Sequence, residues 1–268
     1  MTALPRLNSL LAAAWLLGSV ACATSPLGRK QLILLPDAQM DALGAQSFAD
    51  LKQAQAVSRD VKVNAYVQCV SKPLLEVSGS AIAPERWEIV VFKDDSANAF
   101  ALPGGKIGVH TGLLQVAETP GQLAAVIGHE IGHVTARHGN ERVSEGLVAQ
   151  GGLAVLGEVM KSRTGRQELY ALLGIGVQVG VLLPHSRTQE SEADRIGLEI
   201  MARAGFDPAE SVELWRNMSR DGGRQPPEFL STHPSHGRRI EDLEESQARV
   251  RPLFTNARSA GRNPVCSR

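Results

Sequence analysis

Aromatic side chains are scarce: 3 Trp, 2 Tyr and 6 Phe make up 4% of the 268 residues. The core therefore has to be built mainly from Leu, Val, Ile and Ala. Neither sign of charge prevails, because 28 basic residues face 28 acidic ones. That excludes the basic stripe of a nucleic-acid partner and an acidic tail, so no nucleic acid is expected to bind. Internal repeats of 20 to 50 residues, the mark of a solenoid, are absent. No apolar run is long enough to cross a bilayer comfortably. The run from Leu169 to Leu183 is short and broken by Gly174, Gly176 and Gly180, and reads as a core helix in a close-packed pair. What remains is a globular composition, 43% hydrophobic and 21% charged, in a chain long enough for one large domain or two small ones.

Cysteine is rare, with 3 in the chain. Arg6 precedes an apolar run from Leu10 to Ala21 that ends in small residues, which reads as a secretory signal over residues 1–21. Gly18-Ser19-Val20-Ala21-Cys22 is similar to a bacterial lipoprotein processing site, although Ser19 stands where Leu is usual. Lipidation at Cys22 is thus expected, against ordinary signal cleavage nearby. Ala23 carries no inner-membrane retention signal, so the expected location is the periplasm, anchored to the outer membrane by lipid. Residues 22–35, with Ser25-Pro26-Leu27-Gly28 interrupting regular structure, read as a tether. Cys69 and Cys266 then remain as an even pair in an exported protein, which suggests a disulfide; two unrelated thiols are the alternative.

Helical spacing fills Pro36 to Val57 and Asp60 to Val77. The period then changes. Trp87 to Phe92 is β-branched and aromatic and reads as a strand. Asn98 to Leu102 and Lys106 to His110 flank the turn signal Pro103-Gly104-Gly105. A small antiparallel sheet is therefore expected just before the next helix. Its edge at Asn98, Ala99, Phe100 and Ala101 could take an extended peptide through backbone hydrogen bonds, or the hairpin could serve packing alone.

That helix carries His129-Glu130-Ile131-Gly132-His133. Thr119-Pro120-Gly121-Gln122 supplies a cap, Pro at the first helical position and Gln three residues after the cap. Leu123, Ile127, Ile131 and Val134 recur on the side opposite the histidines. Two histidines four residues apart project from one face and can both reach one Zn²⁺, with Glu130 within reach of a water on that metal. His138 falls on a different face of any continuing helix and is expected to support the structure or to stand behind a ligand, rather than bind metal itself. A catalytic zinc still requires a third protein ligand. Glu190 and Asp194 share a face of a second helix running to Ala204, with Gly205 as its stop. Glu190 can ligate the ion while Asp194 accepts a hydrogen bond from a ligand histidine and fixes its tautomer. Glu192 reads as solvated surface charge.

His-Glu-x-x-His followed by Glu-x-x-Ala-Asp resembles zinc metallopeptidase family 48, the gluzincin family of HtpX and the CAAX prenyl proteases. Asn98 to Gly105, Ser186 to Asp194, and Thr232-His233-Pro234 followed by Arg239-Ile240 resemble further stretches of that family. The resemblance implies an α+β, mostly helical, zincin-like domain over residues 36–268. It implies one Zn²⁺ per chain held by His129, His133 and Glu190, with Glu130 as base. It also implies that His233 and Arg239 line the cleft, where they could donate to the oxyanion. With no clear spanning helix after the signal, the chain resembles the compact envelope-lipoprotein branch. The function so implied is an endopeptidase acting on misfolded or misassembled cell-envelope proteins. The alternative is an assembly factor or chaperone with latent protease activity, in which His233 occupies the open position on the zinc. A purely structural zinc protein fits poorly, since such sites usually have four protein ligands, often Cys.

Overall fold

The computed structural model describes residues 22–149, 173, 185–221, 229, 233 and 238–268. The signal segment 1–21, nearly all of Leu169–Leu183, Thr232 and Pro234 lie outside the described residues. The described helices are α1 (Asp37–Ala54), α2 (Val61–Glu76), α3 (Leu113–Val116), α4 (Pro120–Thr135), α5 (His138–Ala149), α6 (Arg187–Ala204), α7 (Ala209–Asp221) and α8 (Arg239–Ser259). The strands are β1 (Cys22–Thr24), β2 (Lys30–Leu32), β3 (Glu88–Phe92), β4 (Ala99–Leu102) and β5 (Lys106–His110). The architecture is α+β and mainly helical.

The histidine-bearing helix α4 lies at the centre and touches α6, α7, α2, α5 and β4. Thr119 Oγ1 accepts from the Gln122 N–H and caps it, with Pro120 in its first turn. The apolar face at Leu123, Ile127 and Ile131 is fully buried, and so is the opposite face, with His129, Glu130 and His133 each at most 4% exposed. Around it the core is mainly aliphatic, with Tyr66, Trp87, Phe206, Trp215 and Phe229 among it. Phe48, Phe92 and Phe100 gather in a second cluster with Leu35, Met40, Leu43 and Leu102.

Two helices can share a small ion only if their axes come close. Gly128 and Gly132 of α4 face Gly197 and Ala193 of α6. A β-carbon on Gly197 would stand 2.7 Å from the His129 backbone nitrogen, and one on Gly132 would stand 2.8 Å from the Ala193 carbonyl oxygen. Both contacts are with backbone and cannot be relieved by a rotamer change. Gly197→Ala is therefore expected to force α4 and α6 apart. The cost should be about 1–3 kcal/mol of stability, measured by urea unfolding, with a parallel loss of metal affinity. A variant as stable as the parent would show that the helices need no such approach.

The sheet order is β3-β5-β4. The β4–β5 hairpin is antiparallel, with Phe100 opposite Gly108, while β3 joins β5 in parallel through a crossover. The sheet is thus mixed, and β4 is left as the edge facing α4.

Residues 22–35 are not a tether. β1 pairs antiparallel with β2, Cys22 opposite Leu32. The Ser25–Gly28 stretch is the hairpin turn, closed by a 2.9 Å bond from the Gly28 N–H to the Ser25 carbonyl, with Gly28 at φ 88°. Linker-like composition and turn composition are the same residues; only the partner strand tells them apart. The hairpin is docked: Gln31 Nε2 donates to the Ala136 carbonyl at 2.7 Å, Asn140 Nδ2 donates to the Leu35 carbonyl at 2.8 Å, and Ile33 and Leu35 are buried. At the other end of the chain, Cys69 of α2 and Cys266 form a disulfide that pins the C-terminal tail.

Candidate metal centre

Ser186 caps α6 in a reciprocal box with Gln189, and Gly205 ends the helix in the left-handed conformation. This sets Glu190 in the first turn, fully buried, facing α4. Two imidazoles and the Glu190 carboxylate converge, both carboxylate oxygens taking part. His129 Nε2 is 3.0 Å from His133 Nε2 and 3.5 Å from Glu190 Oε2, and His133 Nε2 is 3.4 Å from Glu190 Oε1. Zinc bonds of about 2.0–2.1 Å in a tetrahedron give ligand–ligand edges of about 3.3–3.4 Å.

The hydrogen bonds decide what these atoms present to one another. His129 Nδ1–H donates to Asp194 Oδ1 at 2.9 Å. His138 Nε2–H donates to Glu192 Oε2 at 3.2 Å, so His138 Nδ1 is an acceptor and receives the His133 Nδ1–H at 2.8 Å. Both Nε2 atoms face each other and the Glu190 carboxylate; burial opposes the charge, but Asp194 and Glu190 raise the His129 pKa to about 9, so a proton occupies this cluster when no ion does. A metal cation would take the place of that proton, and the donor set of two imidazoles and one carboxylate suits zinc.

Glu130 is 2% exposed, and burial pushes its carboxyl above the ordinary range. The Ala101 N–H donates to it. Its Oε1 has no hydrogen-bond partner among the described residues, and His233 Nε2 lies 3.4 Å away. Burial opposes the charge on Glu190 as well, but the facing His233 and His129 imidazoles hold it well below the usual carboxylate range.

Arg239, expected to line the cleft, lies against the site's own carboxylates. It is 1% exposed, with Nη1 on Glu190 Oε2 at 2.9 Å, Nη2 on Asp194 Oδ1 at 2.6 Å and its guanidinium over the Trp215 ring at 3.8 Å. The fork holds the buried Glu190 and the part-buried Asp194, while Nε has no hydrogen-bond partner among the described residues. His233 is also buried, stacked on Phe229, with Nδ1 3.0 Å from Glu190 Oε1 and 3.2 Å from His129 Nε2. It therefore lies among the ligand atoms. The side chains of Asn98 and Ala99 are buried, and the Phe100 ring covers Gly108. What this stretch offers a peptide is backbone, and the Ala101 N–H bonded to Glu130 places the β4 edge, unpaired among the described strands, beside the site.

Several residues escaped the sequence reading. Glu192 is not solvated: it is 5% exposed and accepts from His138, from Ser25 Oγ and from Arg29 Nε at 2.8 Å. Burial would raise its pKa, but these bonds outweigh it and bring it to about 2. Arg29 also bonds Glu141 Oε2 at 2.7 Å, and Glu141 in turn accepts from Gln189 at 2.8 Å. His185 stacks against His133 with ring centres 4.0 Å apart. No period in the sequence announces these contacts. The one available signal was the position of His185 directly before the Ser186 cap.

A glutamate-completed HExxH centre on two crossing helices, beside a sheet edge, is the arrangement of a gluzincin. The chain belongs to peptidase family M48, whose profile matches residues 61–247. It is 38% identical over 182 residues to the mitochondrial metalloendopeptidase OMA1 of Schizosaccharomyces pombe, covering 67% of this chain and 52% of that protein. It is 36% identical over 230 residues to the mitochondrial metalloendopeptidase OMA1 of Bos taurus, covering 81% and 43%. Against the β-barrel assembly-enhancing protease of Escherichia coli it is 29% identical over 224 residues, covering 80% and 45%. The chain thus spans about half the length of the curated relatives it matches. The mitochondrial relatives overturn the expected placement in the periplasm on an outer-membrane lipid anchor.

Proposed function

We propose that this chain is a zinc-dependent endopeptidase. The observation that carries the reading is the convergence of His129, His133 and Glu190 with the buried, underbonded Glu130 carboxylate beside it. When bound, the ion supplies Lewis acidity, polarising a peptide carbonyl and acidifying a water. Glu130 takes the water proton on Oε1 and passes it to the leaving amine. The outer edge of β4, at Asn98 to Ala101, holds the substrate backbone by strand addition, which orders the scissile bond with little demand on side-chain sequence. Asp194 fixes the His129 tautomer, and Arg239 holds Glu190 and Asp194 in place as a positioning residue. Misfolded or misassembled proteins are the substrate class that an edge selecting for backbone would favour, and the name of the E. coli relative supports it.

The placement of His233 Nδ1 among the ligand atoms favours a second reading: an assembly factor whose cleavage is latent until His233 withdraws. Both readings are tested by one assay on an unfolded protein substrate. Cleavage should stop with a chelator and return with zinc, and His233→Ala should raise activity if the imidazole is a latch. Cleavage indifferent to chelation would sink the zinc reading. Unchanged or lower activity in His233→Ala would sink the latch.

A further inference from the structure

The two ligand histidines are held from different parts of the chain. His129 is held by Asp194, on the same helix as Glu190. His133 is held by His138, which is reached only because the chain breaks between α4 and α5. Arg137 takes φ 59°, the left-handed region that a side chain rarely adopts, and this turn brings the fully buried His138 back onto His133 Nδ1 at 2.8 Å. His138 leans on Glu192 at 3.2 Å, and Glu192 is held by Ser25 Oγ and by Arg29 Nε at 2.8 Å. Ser25 and Arg29 belong to the β1–β2 hairpin, outside the stretch 61–247 that matches the family.

We propose that the N-terminal hairpin is a working part of the metal centre, with Arg29, acting through Glu192 and His138, a positioning residue that fixes the ring and tautomer of His133. The chemistry is directional. Glu192 Oε2 faces His138 Nε2 and His138 Nδ1 faces His133 Nδ1, so with Glu192 accepting from His138 Nε2–H, His138 Nδ1 accepts from His133 Nδ1–H and His133 Nε2 is turned to the ion. Arg29 contributes what a lysine cannot. Its fork spans Glu192 of α6 and Glu141 of α5, and so fixes the distance between the helix that carries the third ligand and the helix that carries His138. The inference rests on reading His133 as a metal ligand.

The test uses the full chain and measures zinc affinity by competition with a chromogenic chelator, beside the unfolding midpoint of the metal-free protein. Arg29→Ala and Glu192→Gln should each weaken zinc binding about 10–100-fold, the size of effect seen when the partner of a ligand histidine is removed. Arg29→Lys should fall between them and the parent. Lys30→Ala, which changes an exposed hairpin residue outside the relay, should bind as the parent does. The double variant should be no weaker than the worse single, because both act through one path. In the cobalt-loaded chain the exchangeable His133 Nδ1–H resonance should survive in Lys30→Ala and be lost in Arg29→Ala. Should Arg29→Ala fail to fold, the isosteric Glu192→Gln decides alone. Parent-like zinc affinity in a folded Arg29→Ala or Glu192→Gln overturns the proposal, as does an equal loss in Lys30→Ala. A parent chain that binds no zinc removes the metal reading and this inference with it. A parent that binds zinc no better than the variants removes only the inference.

Discussion

Glu130→Gln should lower peptide hydrolysis by at least about 10²–10⁴-fold, the contribution of a positioned general base, while zinc stays bound at one per chain. The substitution is isosteric, so the neighbours at Ala101 and His233 keep their places. It should not cost stability. Burial raises the Glu130 pKa above its unfolded value. The folded state therefore holds the proton more tightly than the unfolded chain, and the ionised carboxylate opposes folding at neutral pH. Removing it makes the metal-free protein as stable as the parent or more so. Turnover, bound zinc and unfolding free energy measured on one preparation check all three statements. Retained turnover would remove Glu130 from the chemistry, and lost zinc would mean that Glu130 supports the ligands rather than the reaction.

The second large effect lies at Arg239. Its guanidinium neutralises Glu190 and Asp194, the former with no exposure at all. Arg239→Ala strands the buried Glu190 and the part-buried Asp194 and vacates the space against Trp215. Breaking a buried pair from one side costs about 3–5 kcal/mol. The loss should be largest in the metal-free protein, where no ion offsets the Glu190 charge, and smaller when zinc is bound. Trp215, 3.8 Å from the guanidinium, gives a fluorescence signal for the urea titration. Arg239→Lys keeps the charge without the fork and should recover only part of the loss. An Arg239→Ala protein as stable as the parent, with lower turnover alone, would return Arg239 to the substrate side of the site.

Much of this centre was legible in the sequence because it is local. The spacing of His129 and His133, the Thr119 and Ser186 caps, the Gly205 stop and the Glu190/Asp194 pair each depend on fewer than two helical turns, where a 3.6-residue period fixes the face. The β4–β5 hairpin was legible for the same reason, since Pro103-Gly104-Gly105 sets a turn between two short strands. Glu192 was misread by that same logic: one residue in the middle of a polar run looks solvated, and only Arg29 and Ser25, more than 160 positions away, make its burial tolerable. The hairpin at 22–35 was taken for a tether because its turn residues and a linker's are alike.

The sequence by itself determined the chemistry on offer at His129 to His133: two imidazoles on one helix face with an acid between them, and a third carboxylate on a second capped helix. Tertiary structure decided how that chemistry is held. Helix contact at Gly128, Gly132 and Gly197 brings the ligands within one ion's reach. The left-handed turn at Arg137 returns His138 to His133, and the N-terminal hairpin supplies the cation that keeps Glu192 charged beneath it. Side-chain period is a property of a few bonded residues, whereas the charge state and orientation of a buried group depend on whatever the fold packs against it.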